Sequence, residues 1–109
     1  TSTITACGND YNFDDLFARN FEALAKKGDL LFCISTSGNS KNILKVLKKA
    51  KDMKINSISF LGNKGGKAKK ISKFNLIVPH SNTARIQEAH IFLGHFILES
   101  VEKIIFKNY

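Results

Sequence analysis

The residues able to do chemistry concentrate in one stretch, Phe32 to Leu47, which reads FCISTSGNSKNILKVL. An apolar run ends at Ile34. Ser35, Thr36, Ser37, Gly38, Asn39 and Ser40 follow, and an amphipathic helical pattern starts directly after them. Hydroxyl groups at the entry to a helix suit an anion, because the first N–H groups of a helix lack intrahelical partners and the dipole is positive there. The hydroxyls of Ser35, Thr36, Ser37 and Ser40 can donate to phosphate oxygens, and Gly38 lets the backbone approach a ligand closely. The stretch has neither the lysine of a nucleotide-triphosphate loop nor G-x-G-x-x-G spacing. A monophosphate on a small molecule fits it better than a nucleotide. The simpler alternative is a hydroxyl-rich turn in which Ser40 only caps the helix.

Such a loop needs a strand before it and a helix after it. DLLFCI reads as a strand buried on both faces, since its apolar run is continuous. The next helix spans about Ser40 to Met53, with Ile43, Val46, Leu47 and Ala50 inward and Lys45, Lys48, Lys49 and Lys51 on the solvated side. INSISFLG and FNLIVP read as two further strands, and NKGGKAKK between them as a glycine turn into a short helix. Upstream, residues 1–6 suggest a helical turn, followed by a loop through Gly8, Asn9 and Asp10. A helix follows from Asn12, its candidate N-cap, with Phe13, Leu16, Phe17, Phe21 and Leu24 on one stripe and Gly28 as its stop. A long helix runs from Thr83 to about Phe106. Strands separated by helical crossovers predict an α/β fold, a parallel sheet with helices on both faces.

The 109 residues suffice for one small domain, and 43% are apolar. No stretch is long and apolar enough to span a membrane. Cys7 and Cys33 form no C-x-x-C pair, so reduced thiols in a cytoplasmic protein are expected. The net charge of +8 is mostly lysine without an arginine cluster or interleaved aromatics. That argues for a solvated face attracting small anions rather than a nucleic-acid surface. The chain begins at Thr1 rather than Met, and three strands make a thin sheet. Further N-terminal structure is therefore expected.

ISTSGNSKNILKVLKKAK resembles the phosphosugar-binding loop and following helix of the SIS (sugar isomerase) domain. TSTITACGNDYNFDDLFARNFEAL, FLGNKGGKAKK and RIQEAHIFLGHFILESVE extend the resemblance over essentially the whole chain, toward the phosphoheptose isomerases within that family. The resemblance implies a three-layer αβα fold, truncated here at its N-terminus. It also implies interconversion of sedoheptulose 7-phosphate and D-glycero-D-manno-heptose 7-phosphate, a step in making heptose precursors of surface polysaccharides. By the same resemblance Ser35, Thr36, Ser37 and Ser40 hold the substrate phosphate. Asn9 and Asp10 contact the sugar, and Gln87 and His95 bind a catalytic zinc and approach the reacting carbons. The implied remaining ligands, a histidine and a glutamate, and a second active-site loop have no counterpart here and are expected upstream of Thr1. A homo-oligomer, expected to be a tetramer with interfacial sites, is implied as well.

Gln87 and His95 lie eight residues apart, ~12 Å along one helix and ~80° around it, whereas zinc–ligand bonds are only ~2 Å. Either the helix bends near Ala89 or a subunit interface brings the ligands together. His90 reads as a structural or supporting residue. Moving a carbonyl between C1 and C2 needs an acid/base group near each carbon. His95 is the candidate, because imidazole is the side chain suited to proton transfer near neutral pH. The final helix is apolar over most of its circumference, through Ile86, Ala89, Leu93, Phe96, Ile97, Val101 and Ile104 on one stripe and Ile91, Leu98 and Ile105 beside it. Such a helix is expected to be buried, here by another subunit. The rival readings are a non-catalytic SIS module that binds a phosphosugar or a protein partner, and a hexose or pentose phosphate isomerase.

Overall fold

The three apolar runs do form strands, and the segments between them cross back as helical turns. The computed structural model describes residues 2–107. Its helices are α1 (Ser2–Asp10), α2 (Leu16–Leu24), α3 (Lys41–Asp52) and α4 (Thr83–Phe106). Its strands are β1 (Leu30–Ser35), β2 (Asn56–Gly62) and β3 (Phe74–Val78), and 3-10 turns lie at Phe13–Asp15 and Ala68–Lys70. The sheet is parallel in the order β1-β2-β3. Its register sets Ile34, Phe60 and Leu76 in one row and Ser35, Leu61 and Ile77 in the next. Successive strand residues face opposite sides, so the first row faces the side on which α4 lies over β2 and β3, and the second faces α2 and α3.

The main core lies on the α2/α3 side, where Ala18, Cys33, Val46, Leu47, Leu61 and Ala68 are buried together. The periodicity of α3 is therefore read correctly, with Val46, Leu47 and Ala50 buried and Ile43 half-buried. Part of its lysine face reaches across to the preceding segment. Lys41, Lys45 and Lys49, one turn apart, pair with Asp14, Asp15 and Glu22. Ion pairs this exposed contribute ~0–1 kcal/mol each, so they set the direction of α3 more than they hold it.

Three expectations need correction. The loop expected at Gly8, Asn9 and Asp10 is the last turn of α1, which runs on because Cys7 is buried and its carbonyl accepts the Tyr11 N–H at 2.9 Å. Of the turn expected at 1–6, Thr1 lies outside the described residues. Asn12 precedes a 3-10 turn and makes no side-chain cap bond, and α2 ends at Leu24, before Gly28. The second expectation, a strand β1 buried on both faces, also fails: Leu30, Phe32 and Ile34 are 53%, 42% and 54% exposed. Among the described residues β1 lies at the edge of the sheet, and the part of α4 that meets the sheet lies over β2 and β3. The third concerns the apolar stripe of α2, of which only Leu16 is buried. Phe17, Phe21 and Leu24 instead line an open apolar cleft of about 640 Å³ beside Leu30, Leu31 and Phe32. On α4, Ile86 and His90 are buried on the sheet, but Phe92, Phe96, Leu98, Ile104 and Ile105 are 60–73% exposed, so within this chain the helix keeps the open apolar surface that led to the expectation of a second subunit.

Candidate functional site

The carboxyl ends of the three parallel strands open onto three loops, and these loops build the site. The first, Thr36 to Ser40, joins β1 to α3. Ser35 is buried and its hydroxyl oxygen accepts the Gly38 N–H at 3.1 Å. Ser37 is exposed and its oxygen accepts the Asn39 N–H at 3.1 Å. A hydroxyl that accepts from the backbone keeps its own proton for donation. Both serines can therefore still donate to an anion while they brace the loop. Ser35 and Ser40 oxygens lie 3.4 Å apart. Ser40 occupies the N-cap position of α3 but makes no side-chain cap bond, so the cap-only alternative is not what the loop adopts. Among the described residues the N–H groups of Ser37, Lys41 and Asn42 have no acceptor. Together with the hydroxyls of Thr36, Ser37 and Ser40 they make a ring of donors at a helix N-terminus, which favours a tetrahedral anion.

The second loop, Asn63 to Lys67, holds the first in shape. Gly38 has a left-handed φ of +64°, and a Cβ on it would lie 2.1 Å from the Gly65 carbonyl oxygen. A Cβ on Gly66 would lie 2.5 Å from the Ser37 carbonyl oxygen. The two loops thus meet backbone to backbone, at a distance only glycine permits. Bonds seal the contact: the Ala68 N–H donates to the Gly38 carbonyl at 2.9 Å, the Lys67 N–H to Asn39 Oδ1 at 3.0 Å, and Asn63 Nδ2 to the Thr36 carbonyl at 3.1 Å. Asn39 also donates through Nδ2 to the Ser37 carbonyl at 3.2 Å. Reading the sequence by itself missed Asn39, Asn63 and the glycine pair as parts of the site. The signal was present, since two glycines in a row imply left-handed backbone, but their partner loop lies 27 residues away.

The third loop links the site to α4. The Asn63 N–H donates to the His80 carbonyl at 3.2 Å, and the Asn82 N–H donates to His80 Nδ1 at 2.9 Å. Asn82 caps α4, its Oδ1 accepting from the Ala84 and Arg85 N–H groups. The helix then docks through Ile86, which is fully buried, and through His90. The His90 ring lies 5.6 Å from Phe60, and its Nε2 is 2.9 Å from the Leu61 carbonyl, to which it donates. His90 thus packs as a structural residue, with a buried Nδ1 that has no partner among the described residues.

Gln87 and His95 both lie exposed on α4, and their side chains make no hydrogen bond to other described residues. The helix is continuous between them, so their ~12 Å separation along the axis stands. Among the described residues no three His, Cys, Asp or Glu side chains come together as a metal cluster. Asn9 and Asp10 are exposed at the end of α1, which packs on α2 and the Phe13–Asp15 turn. The structure brings Ser35, Thr36, Ser37 and Ser40 together in one loop, and no hydrogen bond or ion pair among the described residues links Asn9, Asp10, Gln87 or His95 to them. Burial pushes the Cys33 thiol, on the strand leading to the loop, up to about 11. Both cysteines are free thiols.

Comparison with known proteins gives these arrangements a context. The SIS domain pattern matches residues 2–62. A phosphoheptose isomerase of Clostridium acetobutylicum is 51% identical over 106 residues, 97% of this chain and 54% of its own length. One from Campylobacter concisus is 52% identical over 94% of this chain and 54% of its own. The structure of the phosphoheptose isomerase from Neisseria gonorrhoeae superposes with a TM-score of 0.89 at 44% identity, over 92% of this chain and 57% of its own. The one from Francisella tularensis gives 0.86 at 38% identity, over 90% and 53%. The chain therefore spans about half the length of the relatives it matches.

Proposed function

Because the chain belongs to the SIS domain family, we propose that it carries the phosphosugar-binding part of an aldose–ketose isomerase that interconverts sedoheptulose 7-phosphate and D-glycero-D-manno-heptose 7-phosphate. The observation that carries the reading is the donor ring of the first loop. The hydroxyls of Thr36, Ser37 and Ser40 and free first-turn N–H groups of α3 share that loop, on a backbone braced by Ser35 and fixed by the second loop. Similarity to phosphoheptose isomerases at about 50% identity supports the choice of substrate.

The loop supplies position. With the phosphate anchored, the sugar chain extends from the loop with its carbonyl end held at a fixed distance, which converts a collision into an oriented encounter. Asn9 and Asp10 are assigned contacts to sugar hydroxyls and Gln87 a contact near the reacting carbons. His95 is assigned the proton transfer: it removes a proton from one carbon and, after an ene-diol, returns one to its neighbour. The exposed ring, free of bonds to described residues, suits that role. Gln87 and His95 do not form a metal centre by themselves, given their spacing and, among the described residues, the lack of any three His, Cys, Asp or Glu side chains grouped to hold an ion. Zinc on this pair belongs to the proposal only with donors from elsewhere in the polypeptide or from a second subunit. When bound it would stabilise charge on the two substrate oxygens. The exposed apolar surface of α4 supports a homo-oligomer, for which we propose the tetramer, in the cytoplasm.

Calorimetric titration with sedoheptulose 7-phosphate, on the protein at its native length, tests the loop. Ser37→Ala and Ser40→Ala should each weaken binding by about 1–3 kcal/mol, since a hydrogen bond to a charged group is lost. Unchanged affinity in both variants removes the assignment.

A further inference from the structure

We infer that Asn63 is a positioning residue for the phosphate loop: its side-chain amide sets the peptide plane that aims the Ser37 N–H at the bound anion. The inference rests on the reading of the first loop given above. Three consecutive carbonyls of that loop are held, two from outside it and one by its own Asn39. The Thr36 carbonyl accepts from Asn63 Nδ2 at 3.1 Å, the Ser37 carbonyl from Asn39 Nδ2 at 3.2 Å, and the Gly38 carbonyl from the Ala68 N–H at 2.9 Å. In a trans peptide the next N–H points opposite to the carbonyl, and no peptide among the described residues is cis. Anchoring each carbonyl therefore aims the following N–H the other way, away from its anchor.

Two of those three N–H groups are already committed. The Gly38 N–H donates to Ser35 and the Asn39 N–H to Ser37. The Ser37 N–H alone has no acceptor among the described residues, and it belongs to the peptide that Asn63 holds. The Thr36 carbonyl has little freedom to turn, because a Cβ on Gly62 would lie only 2.5 Å from its oxygen. Asn63 is itself fixed by a second bond, from its N–H to the His80 carbonyl at 3.2 Å. Its φ of +54° lies in the left-handed region, where asparagine is one of the few residues at ease besides glycine.

That conformation makes a clean test available. Asn63→Gly keeps the backbone geometry and the bond to His80 while deleting the amide. Asn63→Asp keeps size and left-handed tolerance but replaces the donor with an acceptor facing the Thr36 carbonyl. The measurements are isomerase kinetics and competitive inhibition by inorganic phosphate, on the protein at its native length, with the thermal midpoint followed in parallel. In Asn63→Gly the KM and the phosphate inhibition constant should rise together by about 3- to 10-fold, as expected for one lost hydrogen bond. The kcat should stay within about twofold, and Asn63→Asp should be at least as impaired as Asn63→Gly. Wild-type KM and phosphate inhibition in Asn63→Gly, with Ser37→Ala still impaired, would overturn the role of Asn63 and leave the loop reading standing. The same holds if only the thermal midpoint falls. If Ser37→Ala is also unimpaired, the loop reading fails with it.

Discussion

Replacing glycines one at a time separates the cost of backbone conformation from the cost of the contact between the two loops. Gly8, Gly28 and Gly38 form a graded series. Gly8 is inside α1 and a Cβ there would meet nothing within 4 Å. Gly8→Ala should stabilise the protein by up to about 1 kcal/mol, the helix-propensity difference. Gly28 has φ of +99° with open space around it, so Gly28→Ala isolates the left-handed penalty of about 1–2 kcal/mol. Gly38 has the same kind of φ and, in addition, the Gly65 carbonyl at 2.1 Å from the added carbon. That carbonyl is backbone, so the loops must part, and the bonds from Ala68 to the Gly38 carbonyl and from Lys67 to Asn39 part with them. Two bonds at ~0.5–1.5 kcal/mol each, added to the conformational penalty, give a loss of about 2–5 kcal/mol. Urea unfolding of the three variants, analysed by midpoint at constant slope, measures the series. Titration with the phosphosugar should show that folded Gly38→Ala no longer binds, while Gly28→Ala binds normally. If Gly38→Ala and Gly28→Ala lose equal stability and bind alike, the loops part at no cost and the second loop does not shape the first.

Other outcomes follow from single residues. His95→Gln should keep the fold, because the ring makes no bond to other described residues, yet lower isomerase turnover by at least ~10²-fold. Bound zinc should fall in the same preparation, and near-normal turnover would instead favour a non-catalytic phosphosugar-binding module. Phe92→Glu, at a position 69% exposed on α4, should dissociate the assembly in light scattering, and an unchanged mass would remove this face from the interface. Cys33 should add a pH dependence to stability at the alkaline end. Its thiol is raised by burial from 9.0 to about 11, so the protonated form belongs to the folded state. The contribution is complete below pH 9 and is lost as pH rises toward 11, by roughly 2–3 kcal/mol. Unfolding curves of wild type and Cys33→Ala between pH 8 and 11 should converge on that scale, and parallel curves would exclude it.

What the sequence made legible was local. Val46, Leu47 and Ala50 repeat at helical spacing because one face of α3 meets one sheet, and the structure buries those residues. Thr83–Phe106 was bounded correctly because Asn82 caps it and no proline interrupts it. The hydroxyl loop was visible because all its donors are consecutive. What escaped depends on partners distant in sequence. Asn63 gains its role only from Thr36, 27 residues earlier. The run LLFCI looks like a fully buried strand, yet Leu30, Phe32 and Ile34 are half-exposed, because hydrophobicity states what a face prefers and not what covers it. The apolar circumference of α4 has the same ambiguity, and only its first half is covered by β2 and β3.

Among the described residues no strand pairs with the outer side of β1, and a sheet border of that kind has a consequence for self-association. A three-stranded parallel sheet has two unlike borders, one at β1 and one at β3. Copies that pair β1 with β1 run antiparallel about a twofold axis and close as an isologous dimer. Copies that set β3 of one against β1 of the next keep the parallel sense, leave a fresh border at each end, and grow without limit. Closed pairing and heterologous growth of the sheet are thus separable by their dependence on concentration: the first saturates at a fixed size, whereas the second continues into filaments.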